Sequence, residues 1–144
     1  RKAIENTNIE IIESLNGNFT RAGGYEKTKE MLENQTDIDI IFCHDDDMVL
    51  GAIEAIEEAG LVPGEDIQIV SILGTNAELE AIVEGKIACS VEANARLGDL
   101  FMEACVRLAN GEEIEREIHP VDRVFDITNA QAELDARKAN GYGY

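Results

Sequence analysis

The stretch IDIIFCHDDDMVLGAI, at residues 38–53, decides the fold of this chain. An apolar run ends at three consecutive aspartates, 45–47, and apolar residues at helical spacing follow at once. This pattern predicts a strand that enters a helix through a tight acidic corner. Because ligands bind at the carboxyl ends of the strands in α/β sheets, the three carboxylates are predicted to lie where a binding site would form.

Strand and helix patterns alternate along the rest of the chain. Strands that are separated by helices form a parallel sheet with right-handed crossovers. The predicted fold class is therefore α/β, a doubly wound three-layer sandwich with a mostly parallel sheet, and residues 1–144 are predicted to form a single lobe. The predicted strands lie at 9–15, 39–43, 67–72, 87–91 and 121–127, and the predicted helices at 1–7, 21–35, 46–59, 76–84, 95–109 and 129–140.

The composition excludes several classes of function. The chain has 144 residues, of which 44% are apolar, and this content favours a globular fold. It carries 12 Lys and Arg against 30 Asp and Glu, and the net charge of −18 repels phosphate backbones, so no nucleic-acid partner is expected. No apolar run approaches the roughly 20 residues that a membrane helix needs.

Metal and cofactor sites are not predicted either. His44 and His119 are far apart in the sequence, which does not suggest a metal site, and no cofactor is expected. The three cysteines, Cys43, Cys89 and Cys105, lack C-x-x-C spacing and stand in apolar contexts. They are interpreted as buried small apolar residues.

The aspartate run is open to three interpretations. An aspartate at a helix start accepts hydrogen bonds from unpaired backbone amides, and Asp46 and Asp47 suit this role. A carboxylate that faces the cleft accepts hydrogen bonds from sugar hydroxyls, and Asp45 is the candidate. In the third, Asp45-x-Asp47-x-Val49 resembles the first motif of haloacid dehalogenase-like phosphotransferases, with Asp45 as nucleophile and Asp47 as acid/base. That chemistry needs Mg²⁺ and a lysine after a later strand, where none stands, so no enzyme is predicted.

A second candidate constellation lies at residues 17–21, between the first predicted strand and the helix that follows it. An exposed Phe19 would stack on the apolar face of a sugar ring, whereas a buried Phe19 would pack on the helix as a hydrophobic staple. Arg21 in the first helical turn would pair with nearby acids or reach a ligand. Glu92 follows the fourth predicted strand and would face the same cleft.

Taken in order, these strand ends resemble the carboxyl-terminal half of a known family. The matching segments are 17–21, 42–53, 59–74 and 90–92, and the resemblance runs from about residue 8 to residue 108. The family is the type I periplasmic sugar-binding proteins of ABC importers, of the ribose- and galactofuranose-binding types.

The resemblance implies a function and a set of site residues. The chain would be the sugar-binding lobe of an extracytoplasmic ABC-transporter solute-binding protein, in the periplasm or on a cell-surface lipoprotein, with an ABC permease as its membrane partner. Phe19 matches an aromatic residue that packs on the sugar, and Asp45 matches a position, usually asparagine, that hydrogen-bonds sugar hydroxyls. Arg21 and Glu92 are the second candidates for ligand contact. The alternative function is a ligand-sensing domain of a LacI-type repressor or of a sensor kinase, which shares the fold.

Three positions depart from the family's pattern. Leu73 stands where the family usually has a ligand-binding aspartate, Ile72 replaces an aromatic residue of many members, and Ala93 occupies a glutamine position of the ribose-type proteins. The ligand is therefore expected to be less polar or differently arranged.

The family has two lobes that close on the ligand by a hinge, and this chain has room for one. The resemblance implies that the first lobe and the first strand of the second are missing, so the chain is predicted to be a fragment. In the family the chain crosses to the first lobe after the segment that resembles 91–94, so the apolar stripe of the helix at 97–108 would lack its partner. We therefore expect the chain to self-associate, and to bind sugar weakly or not at all on its own.

Overall fold

The computed structural model of the chain describes residues 2–35, 37–94 and 97–141. A short 3-10 helix, Lys2–Ile4, precedes five α-helices and four strands within these ranges. The helices are α1 (Arg21–Asn34), α2 (Asp46–Glu58), α3 (Asn76–Val83), α4 (Gly98–Ala109) and α5 (Ala130–Ala139), and the strands are β1 (Ile40–Phe42), β2 (Gln68–Leu73), β3 (Cys89–Glu92) and β4 (Val124–Asp126).

The four strands form one sheet in the order β1-β2-β3-β4. β1, β2 and β3 are parallel to one another, and β4 runs antiparallel to β3. The predicted α/β class and mostly parallel sheet are confirmed. Because α2 and α3 carry the chain from one parallel strand to the next, the carboxyl ends of β1, β2 and β3 lie at the same edge of the sheet.

One face of the sheet is buried under helices. The register aligns Ile41 with Ile69 and Ser90 with Phe125, and each of these side chains is less than a tenth exposed. Side chains alternate between the two faces of a strand, and each fully buried Ile or Leu contributes about 1.5–3 kcal/mol to stability. The core on this side comprises Ile41, Cys43, Val49, Ala52, Ile53, Ile56, Ile67, Ile69, Leu79, Ala81, Ile82, Ile87, Phe125, Ala130 and Leu134.

The opposite face of the sheet is partly open. Ile40, Phe42, Val91 and Val124 alternate with the buried set and are between 38% and 53% exposed. Helix α4 is exposed as well, since none of its residues is buried and Phe101 is 67% exposed. None of the helices in the described part of the chain has the length and apolar content needed to cross a bilayer.

Helices α1 and α2 pack closely because glycines line their contact. A Cβ atom on Gly24 would lie 2.6 Å from the Cα atom of Met48, and a Cβ atom on Gly51 would lie 2.6 Å from the backbone nitrogen of Tyr25. Glycine has no Cβ atom, so the two backbones approach where any other residue would collide. This contact brings the amino-terminal ends of α1 and α2 together.

The strand predicted at residues 9–15 is wrong. This segment joins no strand of the sheet, and Ile9, Ile11 and Ile12 are about half exposed. A strand is stable only when its backbone groups pair with a neighbouring strand. The edge strand β1 does not pair with the segment, so local β propensity alone does not produce a strand there.

The predicted amino-terminal helix also differs from the structure, and parts of two other predictions cannot be compared with it. The helix predicted at about 1–7 is reduced to the single 3-10 turn Lys2–Ile4. Residues 95–96, where the helix before the carboxyl-terminal region is predicted to begin, lie outside the described residues, as do residues 142–144.

Candidate functional site

The candidate site lies at the edge of the sheet where β1, β2 and β3 end. The loop at residues 16–20, which precedes α1, packs against the first turn of α2. A Cβ atom on Gly17 would lie 2.7 Å from the Sδ atom of Met48 in that turn. The fold therefore brings Phe19, Asp45 and the end of β2 to one side of the molecule. In parallel α/β sheets this edge is where ligands bind.

Phe19 is held out into solvent by its loop. The side chain is 68% exposed, and its φ of 53° lies in the left-handed region that non-glycine residues rarely adopt. The Asn18 amide donates to Oδ1 of Asn16 at 2.9 Å, and Oγ1 of Thr20 accepts from the Gly23 amide at 3.0 Å and so caps α1. The exposure contradicts the hydrophobic-staple interpretation and leaves the ring face free for stacking.

Asp45 is the N-cap of α2, which corrects the prediction that Asp46 and Asp47 cap the helix. Its Oδ1 atom accepts a hydrogen bond from the Met48 amide at 3.2 Å. Asp46 and Asp47 lie in the first turn, where a carboxylate interacts favourably with the helix dipole. A carboxylate has about four lone-pair sites, so Asp45 retains acceptor capacity for a ligand while it caps the helix.

The two second candidates are engaged within the fold. Arg21 is about half exposed and forms an ion pair with Glu54 of α2. Glu92 is 5% exposed, and Arg123 contacts both of its carboxylate oxygens at 2.8 Å. Arg123 also contacts Glu133 at 2.7 Å, and these two carboxylates, Glu92 first, raise the pKa of the guanidinium. A ligand contact by Arg21 or Glu92 stays a prediction.

Sequence reasoning missed the residues that fix the end of β2. The Gly74 amide donates to Oγ of Ser90 at 3.1 Å, and the Gly74 carbonyl accepts from Nη1 of Arg137 at 2.8 Å. Arg137 is 4% exposed although it is a charged residue of the last helix. No local signal could have found it, because it lies 63 residues from Gly74 in the sequence.

A buried carboxyl group, that of Glu78, is hydrogen-bonded to the residues around the end of β2. Glu78 of α3 is fully buried, and its Oε2 atom accepts hydrogen bonds from the Thr75 amide at 2.9 Å and from Oγ of Ser90 at 3.1 Å. Burial raises the pKa of this carboxyl group above its usual value. Glu78 therefore connects the cap of α3 to the serine that holds Gly74.

The cysteines differ from one another in their surroundings. Cys43 is buried, and burial raises the pKa of its thiol to about 12, which makes it a poor nucleophile. Cys89 is half-buried and Cys105 is exposed, so the interpretation of all three as buried residues is confirmed only for Cys43. Within the three described ranges, no group of three or more His, Cys, Asp or Glu side chains is arranged to hold a metal ion.

Comparison with known proteins matches nearly all of the chain. A family model for the periplasmic binding protein domain matches residues 1–113. The chain is 35% identical over 146 residues to the galactofuranose-binding protein YtfQ of Escherichia coli strain K12, and the match covers 98% of the chain and 46% of that protein. The chain therefore spans less than half the length of this relative.

The chain also matches slightly less than half the length of solved structures. A crystal structure from Mycobacterium smegmatis matches with a TM-score of 0.89 and 38% identity over 94% of this chain and 46% of that one. The periplasmic binding protein component of the arabinose ABC transporter from Shewanella sp. ANA-3, bound to L-arabinofuranose, matches with a TM-score of 0.85 and 33% identity over 97% of this chain and 48% of that one.

Proposed function

This chain belongs to the periplasmic binding protein family, and from that premise we propose that it is a sugar-binding lobe of an extracytoplasmic solute-binding protein. The proposed protein is not an enzyme and delivers its sugar to an ABC permease in the membrane. The named relatives support the substrate class, since one is a galactofuranose-binding protein and another holds L-arabinofuranose. The share of each relative that the chain matches supports a further proposal, that this chain is one lobe of two.

The observation that carries the proposal is the exposed Phe19 beside the acidic corner of α2. An aromatic ring stacks on the C–H face of a sugar, and a carboxylate accepts hydrogen bonds from the sugar's hydroxyl groups. The loop that carries Phe19 packs against Met48 in the first turn of α2, the helix that Asp45 caps, and the ring and the carboxylate offer these two kinds of contact. Together they form one wall of a sugar cleft, and the second lobe would supply the other wall.

Sugar titration followed by NMR tests this function on the chain itself. One wall offers about half of the contacts, so we expect a Kd of about 1 mM or weaker, which corresponds to about 4 kcal/mol or less. Titration with D-galactose, D-ribose and L-arabinose should shift the amide signals of residues 17–21 and 45–48 more than those elsewhere.

The Phe19→Ala variant should lose these shifts. Phe101→Ala is the matched control, because Phe101 is equally exposed at 67% but lies on α4. If none of the sugars produces localised shifts, the proposed function is wrong. If calorimetry shows micromolar binding, the proposal that the cleft needs a second lobe is wrong instead.

We also propose that the isolated chain self-associates through the exposed apolar surface of α4. Phe101, Val106 and Leu108 are each more than half exposed, although the burial of such side chains would each stabilise a contact. The net charge of −18 opposes association, and salt screens that repulsion. The self-associated form should therefore increase as the salt concentration rises.

Size-exclusion chromatography with light scattering measures this directly. We expect at least a dimer at micromolar protein concentration in 0.5 M salt. At this ionic strength the Debye length is well below the roughly 10 Å of 0.1 M salt, so the repulsion between chains is largely screened. Phe101→Glu should convert it to a monomer, whereas Val62→Glu, at an exposed turn far along the chain from α4, should not. A clean monomer of the unmodified chain at both low and high salt would contradict the proposal.

A further inference from the structure

Helix α3 places a carboxyl group against the buried face of the sheet. Glu78 of this helix is fully buried, and the hydroxyl group of Ser90 on β3 donates to it. Ser71 of β2, which is also fully buried, lies opposite Ser90 in the sheet. Glutamate is almost never fully buried unless it is paired. The groups around Glu78 therefore decide which protonation state the fold accepts.

The groups that contact the Glu78 carboxyl are uncharged. Its Oε2 atom accepts hydrogen bonds from the Thr75 amide at 2.9 Å and from the Ser90 hydroxyl at 3.1 Å. Its Oε1 atom is buried, as is Oγ of Ser71, and neither has a hydrogen-bond partner among the described residues. A carboxylate would lose its hydration here with little in return, whereas a neutral carboxyl group needs less solvation and adds an O–H donor.

The charged groups in this part of the fold do not provide a counter-ion. Arg137 donates to the Gly74 carbonyl and to Glu133, and burial raises the pKa of the Cys43 thiol to about 12, which keeps it neutral. Burial likewise raises the pKa of the Glu78 carboxyl group. The titratable groups that the neighbouring elements bring to this end of the sheet are Cys43 and Asp45 after β1, Glu92 of β3 and Arg137 of α5.

We propose that Glu78 is a proton switch of the fold, a neutral carboxylic acid in the folded chain whose ionisation separates the start of α3 from β3. One oxygen atom of Glu78 joins these elements through the Thr75 amide and the Ser90 hydroxyl. A charged carboxylate in this place requires water, and water reaches it only when α3 moves away from the sheet. The switch concerns the stability of the fold and does not depend on the nature of the ligand.

The stability of the chain should therefore depend on pH through this residue. Because the pKa of Glu78 is higher in the folded chain than in the unfolded chain, its stabilising contribution is complete below the unfolded pKa and is lost as the pH rises through the folded pKa. Glutamine has the shape of the neutral acid and does not titrate. Between about pH 5 and about pH 8, the unfolding equilibrium constant of the unmodified chain should rise relative to that of Glu78→Gln, by at most about tenfold per pH unit.

Urea denaturation across this pH range measures the ratio of the two constants. Glu80→Gln is the matched control, because it makes the same change at an exposed position of α3 and should keep the pH dependence of the unmodified chain. A ratio of the unmodified chain to Glu78→Gln that stays constant with pH would overturn the proposal.

Two NMR measurements on the unmodified chain do not require the variant to fold. The side-chain carboxyl carbon of Glu78 should titrate at a higher pH in the folded chain than in the chain unfolded by urea, and coincident titrations would overturn the proposal. Hydrogen exchange, corrected for its intrinsic pH dependence, should show that the Thr75 amide loses protection near pH 8, whereas the Cys43 amide, bonded to the Val70 carbonyl within the sheet, keeps it. If both amides keep their protection, ionisation does not open the contact and the switch is wrong.

Discussion

Replacing Arg123 with methionine should destabilise the fold by about 3 kcal/mol, because it removes the cation from a buried carboxylate. Glu92 is 5% exposed, and Arg123 contacts both of its oxygens at 2.8 Å. The Arg123 side chain is 43% exposed, which places the effect at the lower end of the range for buried pairs. Urea denaturation of Arg123→Met beside the unmodified chain measures the loss.

A double variant distinguishes the loss of the ion pair from the cost of leaving Glu92 charged and buried without Arg123. Glu92→Leu combined with Arg123→Met removes both partners and should recover much of the stability that Arg123→Met alone loses. Arg107→Met is the control, since its pair with Glu112 lies at the surface and is expected to contribute at most about 1 kcal/mol. If Arg123→Met costs no more than this control, the Glu92–Arg123 pair contributes no more than a surface ion pair.

Gly51→Ala should destabilise the fold by about 2 kcal/mol, because the added methyl group forces α1 away from α2. The new Cβ atom would collide with the Arg21 carbonyl and would lie 2.6 Å from the Tyr25 nitrogen. Both neighbours are backbone atoms, which cannot rotate away as a flexible side chain would. Thermal unfolding measures the effect as a lower Tm.

Gly98→Ala provides the opposite expectation within the same chain. Gly98 lies in the first turn of α4, and a Cβ atom there would have no heavy atom within 4 Å. Alanine is a better helix former than glycine by about 1 kcal/mol, so this variant should be unchanged or slightly more stable. Equal effects of the two substitutions would show that the α1–α2 contact is looser than described.

The Gly51 contact also bears on sugar binding. Helix α1 begins directly after the loop that carries Phe19, and α2 begins directly after Asp45. Moving one helix away from the other therefore changes the spacing of the two first candidates for ligand contact. In Gly51→Ala, the sugar-induced shifts at residues 17–21 should weaken even in the fraction that remains folded.

Much of the fold could be predicted because its signals are local. The apolar runs at 39–43, 67–72 and 87–91 contain β1 and all but the last residue of β2 and of β3, and the helical repeat after Asp45 matches α2. Hydrophobic periodicity is contained in a window of a few residues, so it is readable without any knowledge of neighbours. The strand-to-helix corner that carries Asp45 belongs to this class of feature.

The segment at 9–15 shows where local signals fail. Its isoleucines carry a β propensity as strong as that of the true strands, yet it forms none. Strand formation depends on a hydrogen-bonded partner, and the partner is a property of the whole sheet. The identity of the N-cap residue is also not a local signal. It depends on the residue at which the chain turns into α2, and in the structure that residue is Asp45 rather than Asp46 or Asp47.

By itself the sequence determined an α/β fold with a mostly parallel sheet and an acidic corner at a strand end. Only the tertiary structure decided that Phe19 is exposed, that Glu92 is held by Arg123 and that Arg137 clamps the end of β2. These partners are 31 and 63 residues apart. Ion pairs and hydrogen bonds depend on distance in space, and only the packing of the helices on the sheet brings such residues within reach.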